Sequence, residues 1–280
     1  MTWTHETTWQ PTRLLKVAGS VDTSTGATEV MTDAGRAYIK ALGNRQGPHV
    51  LATDWVGTHL AKWFGLSTLD IAILQLDADD DFDLPRGAKA KPGPAFASRA
   101  LPGAPWGKSG LQLDVIVNPE DITRLIIFDT WTLNCDRHHH DLNVRKPNPD
   151  NVFLSSEGVA PGKRRLIAMD HGLCFIGSGE DLTSKLSHLK KTRDDRVYGL
   201  FPEFLRWLRQ DTIDQCRVRL EEMDEGTATA IVGTVPHEWD VCLEARRAWI
   251  DLIHRRAHFV ASNVETWIDQ VAPWFSAEQD

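Results

Sequence analysis

The sequence lacks most of the features that would settle a function early. Its 280 residues hold four cysteines, Cys135, Cys174, Cys216 and Cys242, widely spaced and without a CxxC pair. That spacing excludes a disulfide framework or a cysteine zinc site and reads as free thiols in a reducing compartment. No apolar run approaches the length that spans a bilayer. The N-terminus, Met1-Thr2-Trp3-Thr4-His5-Glu6, has neither the basic start nor the apolar stretch of a secretory signal. An excess of positive charge is missing too. The formal net charge of -8 argues against DNA, RNA or acidic membranes as the main partner. There is no internal repeat, no GxGxxG, and no low-complexity tract beyond the acidic run at Asp79, Asp80 and Asp81. The expectation is a cytoplasmic protein of ordinary globular composition, long enough for one large domain or two lobes.

What is present begins as a strand-rich region. Arg13 to Val17 reads as a first strand and Gly19 to Gly26 as a small polar loop. Thr28 to Met31 and Ala37 to Leu42 read as strands around the turn Thr32-Asp33-Ala34-Gly35. Lys40 is a lone charge among apolar neighbours, which suits a partly buried strand. From His49 to Phe64, the residues Val50, Leu51, Trp55, Val56, Leu60 and Phe64 recur at helical spacing, with Gly65 as the stop. Leu69 to Leu76 and Ala95 to Leu101 are further strands, separated by a loop from Asp77 to Pro94, and Pro102 to Gly110 reads as a linker. Asn118 then reads as the cap of a helix with Pro119 at its first position. That helix is apolar nearly all round and therefore buried. Asn151 to Ser155 and Arg165 to Met169 form a hairpin by pattern. Pro202 to Gln210, Asp211 to Met223 and a long segment from Val241 to Val271 read as helical.

Three polar clusters sit at the ends of these elements: Asn134-Cys135-Asp136-Arg137-His138, then Asp150-Asn151-Val152-Phe153-Leu154, then Met169-Asp170-His171-Gly172. Phosphoryl transfer needs one carboxylate to receive or orient the acceptor hydroxyl, and an Asn and a second Asp to hold magnesium against nucleotide phosphates. Those side chains occur in that order as Asp136, Asn151 and Asp170. Asp136 follows a buried helix and is the candidate catalytic carboxylate. Asp170 follows an apolar strand and lies just before Gly172, a rigid presentation with permissive backbone after it. Asn151 precedes a buried strand. Asn143 and Asn148 are its rivals, because the usual kinase spacing puts this Asn about five positions after the Asp. Choosing Asn151 makes His139 to Asp150 an insertion.

Lys40 would contact the nucleotide phosphates and be positioned by Asp54 on the following helix. Asp is one methylene shorter than the usual Glu, so the pair requires closer approach or a bridging water. Ser24, Thr25 and Gly26 could line the phosphates through backbone N–H groups, and Ser24 and Thr25 are candidate autophosphorylation sites. Adjacent histidines cannot easily converge on one ion, so His138, His139 and His140 read as a loop and not a metal site. The eleven tryptophans read as core.

With these residues placed, the chain resembles the HipA-like kinases, bacterial enzymes with a diverged protein-kinase fold and active sites close to those of phosphatidylinositol kinases. The resemblance is carried by Tyr38-Ile39-Lys40, Leu51-Ala52-Thr53-Asp54-Trp55 with Leu60-Ala61, Gly93 to Leu101, Asn134 to Arg137, Asp150 to Leu154, Met169 to Gly172 and Val235-Pro236-His237-Glu238-Trp239. It implies ATP and magnesium, with Lys40 on the phosphates, Asp136 as the catalytic Asp, and Asn151 and Asp170 as metal ligands. The expected fold is α+β and two-lobed, with an antiparallel-sheet N-lobe over residues 1–104 and a mainly helical C-lobe over 105–280, together one kinase-like domain. The expected activity is phosphoryl transfer to Ser or Thr of a protein. A kinase for a lipid head group or small molecule is an alternative, as is a pseudokinase acting as a nucleotide-sensing scaffold. Three departures stand out: Asp54 in place of Glu, the longer loop after Asp136, and kinase-like sequence that begins almost at once. The last leaves no room for the N-terminal subdomain of full-length HipA toxins and weakens the case for toxin function or a HipB-like antitoxin partner.

Overall fold

Alternation of period two builds the first sheet. The structure, a computed structural model, describes residues 9–20, 27–177 and 180–271, so Ser24, Thr25 and Gly26 lie outside the described residues. The first elements are β1 (Leu14–Ser20), β2 (Thr28–Thr32), β3 (Gly35–Lys40), α1 (His49–Phe64), β4 (Ile71–Leu76), β5 (Asp83–Leu84), β6 (Ala88–Lys89) and β7 (Gly93–Arg99). Five of these strands form an antiparallel sheet in the order β1-β2-β3-β7-β4. One sheet face presents Val30, Ala37, Ile39, Leu74 and Ala97, which bury a small core with Trp9, Phe82 and Leu84. Phe82 and Leu84 come from the stretch expected to be a plain loop. It instead folds into the β5–β6 ribbon, whose apolar residues join that core. Lys40 follows Ile39 and so faces the other way. It pairs in register with Phe96, which belongs to the larger core around α1.

Thirteen of the sixteen residues of α1 are buried. Apolar residues recur around most of the helix because little of it faces solvent; its exposed residue is Lys62, near the C-terminal end. Gly65 ends it at φ 91°, with its N–H returned to the carbonyls of Ala61 and Lys62. On one side α1 meets the sheet, and on the other it is fastened to the helical lobe. Thr53 Oγ1 donates to the Gly172 carbonyl at 2.6 Å, Trp55 Nε1 to Thr234 Oγ1 at 2.8 Å, and Arg219 Nε to the Trp63 carbonyl at 2.9 Å.

The second lobe contains β8 (Gly103–Pro105), α2 (Gly110–Leu113), α3 (Glu120–Thr132), β9 (Val152–Ser155), β10 (Arg165–Ala168), α4 (Leu189–Thr192), α5 (Gln210–Glu221), α6 (Glu225–Gly233), α7 (Leu243–Ala261) and α8 (Val264–Val271). β8 lies in the expected linker, yet it pairs with β9 in a three-stranded sheet of order β10-β9-β8. Asn118 does not cap α3 as its local sequence suggests. Its amide bonds Asp121 and both the carbonyl and the N–H of Leu166, clamping β10 to the start of the helix. Pro202–Trp207 is a 3-10 helix. The long C-terminal segment breaks between α7 and α8, where Ser262 Oγ and Asn263 Nδ2 each donate to a carbonyl four residues earlier. Trp131, Trp239 and Trp249 are fully buried. Trp239 Nε1 donates to the Pro94 carbonyl at 2.9 Å and so links the helical lobe to β7. Among the described residues no helix is long and apolar enough to cross a membrane.

Candidate active site

Lys40 is the last residue of β3 and only 6% exposed. A buried ammonium needs an anion, and two are supplied. Its Nζ lies 2.5 Å from Asp54 Oδ2 and 3.0 Å from Asp170 Oδ1. Asp54 therefore reaches Lys40 directly, by close approach of α1 to β3. The second oxygen of Asp54 accepts the N–H of His171 at 2.7 Å, so one carboxylate joins the sheet lobe to the turn after β10. Burial opposes the charge on Lys40, but Asp170 and Asp54 together outweigh it and hold the ammonium above its usual range. Burial pushes the Asp54 carboxyl up to about 6, with Lys40 pulling the other way.

The turn carrying Asp170 is shaped by contact with α1. Asp170 itself sits at φ 59°, a left-handed conformation that Asp tolerates better than most residues. A Cβ on Gly172 would lie 2.8 Å from Val50 Cγ2, and one on Gly57 would lie 2.5 Å from His171 Cβ. Both glycines are thus required by close approach. His171 fills the space that Gly57 leaves, edge-on to Phe128, and its burial pushes the imidazole pKa well below its usual range.

Asp136 is presented by the other end of the site. Leu133 ends α3 in the left-handed region at φ 55° and turns the chain into the loop. Asp129, fully buried in the last turn of α3, holds that loop, accepting from Asn134 Nδ2 at 3.0 Å and from Arg137 Nε at 2.9 Å. Burial raises the Asp129 carboxyl to about 6, against the charge of Arg137. Arg137 Nη1 then donates to the Asn151 carbonyl at 2.6 Å and to the Met169 carbonyl at 3.1 Å. One guanidinium therefore gathers the three polar clusters. Asn151 Nδ2 donates to Asp136 Oδ2 at 2.7 Å, while Asp136 Oδ1 accepts from Arg145 Nη2.

A sequence profile of the HipA-like kinase family matches residues 23–266. The chain belongs to the HipA-like kinases. Among solved structures it is similar to the Helicobacter pylori proinflammatory kinase CtkA, at 11% identity and a TM-score of 0.56, over 91% of this chain and 99% of that one. It also aligns with the Mycobacterium tuberculosis PknI kinase domain at 14% identity and a TM-score of 0.27, over 90% of this chain and 95% of that one. A search of curated proteins finds no match. The likeness to CtkA shows the fold, a two-lobed protein-kinase-like architecture.

In this HipA-like kinase, Lys40, Asp54 and Asp170 are in direct contact, as are Asp136 and Asn151, and Arg137 joins the two groups. Asn148 donates to Asn151 Oδ1 at 3.1 Å and supports it, while Asn143 turns back onto Asp141. Among the described residues no group of three or more His, Cys, Asp or Glu converges as a metal site. The histidine run makes ring contacts instead, His138 on Phe201 and His140 on Tyr198. The donors at hand for an ion are hard oxygens, the Asp170 carboxylate and the Asn151 amide. They fit magnesium, which is ordinarily held by one or two carboxylates together with substrate phosphates. Sequence reasoning missed Asp129, Arg145 and the bridging role of Arg137. An acid just after the apolar run Leu125-Ile126-Ile127-Phe128 was a signal for Asp129; Arg145 carried none.

Proposed function

We propose that this HipA-like kinase transfers the γ-phosphoryl group of magnesium-bound ATP to a hydroxyl of a Ser or Thr in a protein. The observation that carries the reading is the network that runs from Lys40 to Asp170, from the adjoining Met169 carbonyl to Arg137, and from Arg137 to the Asn151 backbone, whose side chain meets Asp136. Lys40 takes the phosphates at one end, and Asp136 aligns the hydroxyl and receives its proton at the other. Magnesium, when bound with the nucleotide, neutralises charge on the phosphates, and Asp170 and Asn151 would hold it. Support for an uncharged acceptor comes from a cavity of about 350 Å³ lined by Cys135, Val144, Arg145, Phe175 and Tyr198. Its other cations are already matched within it, Lys191 by Glu180 and Arg196 by Asp194. That leaves little free charge for a phosphorylated head group.

The test is transfer of labelled γ-phosphate from magnesium ATP to the protein itself and to a cell lysate, with wild type, Asp136→Ala and Asp170→Ala. Label on Ser or Thr that vanishes in both variants is the expected result. Label confined to a small-molecule fraction would move the acceptor out of the protein class. No label, with equal nucleotide affinity in the presence and absence of magnesium, would make the chain a pseudokinase.

A further inference from the structure

The segment between Asp136 and Asn151 is a built loop. Asp141 N–H donates to His139 Nδ1 at 3.0 Å, and Asp141 Oδ1 accepts the Asn143 N–H at 2.9 Å. Arg145 N–H returns to the Asp141 carbonyl at 3.3 Å, and Asn148 N–H to the Arg137 carbonyl at 2.8 Å. The loop is closed onto the strand of chain that carries Asp136, and it sends one side chain back: Arg145, whose guanidinium rests on Asp136 Oδ1. The carboxylate is 6% exposed and the Arg145 side chain 30%. Three cations line the adjoining cavity. Lys191 is engaged by Glu180 and the Phe175 carbonyl, and Arg196 is forked onto Asp194. Arg145 has one described side-chain partner, and that partner is the acceptor-aligning carboxylate.

An acceptor hydroxyl must approach that same carboxylate. Arg145 cannot lose its proton, and a cation deprived of its anion in a half-buried place is costly. The anion that arrives with the reaction is the transferring phosphoryl group. Lys40 stands on the Asp170 side of the network, and Arg137 is fully buried and held by Asp129 and the Asn151 and Met169 carbonyls, so Arg145 is the one partly exposed cation among the described contacts of Asp136 and Asn151. We propose that Arg145 is a catalytic residue. It rests on Asp136 between turnovers and moves onto the phosphoryl oxygens when the acceptor takes its place. In that step the acceptor oxygen forms the new bond to γ-phosphorus. The bond from γ-phosphorus to the bridging oxygen breaks with its electron pair left on ADP, and the acceptor proton passes to Asp136. The inference rests on the kinase reading above.

Water as acceptor gives a test that needs no identified substrate. Arg145→Ala should lower magnesium-dependent ATP hydrolysis by about 1,000-fold, the scale of a phosphoryl-contacting arginine. Arg145→Lys should recover part of it. Affinity for magnesium ADP should stay within about twofold, since Lys40, Asp170 and Asn151 are untouched. Capture of ADP with aluminium fluoride, a planar stand-in for the phosphoryl group in flight, should weaken about 100-fold, read by tryptophan fluorescence. A faster Arg145→Ala would make Arg145 a brake and overturn the proposal. So would wild-type rates, or equal losses in the Ala and Lys variants with weakened ADP binding. Where hydrolysis is too slow to read, the same ratios are taken on labelled transfer, and if wild type is as inert as Asp170→Ala in both assays, the kinase reading itself falls and takes this inference with it.

Discussion

Lys40 and Arg256 are both cations buried in this protein, and they are neutralised in opposite ways. Lys40 lies between two carboxylates, which hold its charge above the usual range. Arg256, in α7 and fully buried, hydrogen-bonds only backbone oxygen among the described residues: the carbonyls of Thr130, Trp131, Lys191, Thr192 and Asp194, at 2.7–3.3 Å. Burial pulls the Arg256 pKa down to about 10. On the proposed function, the difference separates a working cation from a framing one. A carboxylate can exchange lysine for a proton, a metal or another cation. A carbonyl fixed in backbone has no such alternative, so Arg256 locks the end of α3 to the segment around α4.

The largest effect should come from setting these two against each other. Arg256→Met strands carbonyls from two segments and should cost about 4 kcal/mol of stability in urea unfolding. Turnover per folded molecule should change little. Lys40→Met should do the reverse: about 2 kcal/mol of stability, because Asp54 can take up a proton, and about a 100-fold loss of turnover. Equal stability losses would erase the distinction.

A smaller, pH-dependent effect sharpens the same contrast. The Asp54 carboxyl titrates at about 6, so it is ionised and paired with Lys40 above that pH and protonated below it. Transfer rate should therefore fall as pH drops through about 6 and be flat above. Asp54→Asn should lower the plateau and remove this limb; a limb that persists in the variant would assign it to another group. Smallest is Gly57→Ala. Its new methyl would lie 2.5 Å from His171 Cβ. The shift should cost about 1–2 kcal/mol and raise the KM for ATP a few-fold, since the His171 N–H orients Asp54.

What could be read from the sequence was what has a local period or a local order. The apolar pattern of α1 gave its bounds from His49 to Phe64, because a helix buried nearly all round needs no amphipathic compromise. The apolar neighbours of Lys40 placed it on a partly buried strand. The order of Asp136, Asn151 and Asp170 pointed to a kinase, a reading the family match and the fold support. What could not be read depends on distant partners. Asn118 looks like a cap from its neighbours, but its amide is taken by Leu166, forty-eight residues away. β8 is three exposed residues with no alternation to find. Arg145 is one more charge in a polar loop until the fold returns it to Asp136. The helix break at Ser262 and Asn263 did have a local sign, two side chains able to compete with the backbone, submerged in the surrounding helical period.

The burial of α1 bears on how small molecules could control this protein. A compound that acts by pushing such a helix out of position would have to expose nearly the whole of it. It would also have to break the Thr53, Trp55 and Arg219 bonds that tether it to the helical lobe. No ordinary ligand supplies that much free energy, because affinity saturates well before so large an apolar surface is repaid. Inhibitors of this HipA-like kinase should therefore be sought among molecules that compete for the nucleotide cleft or occupy the cavity beside Cys135, with the helix left where it is.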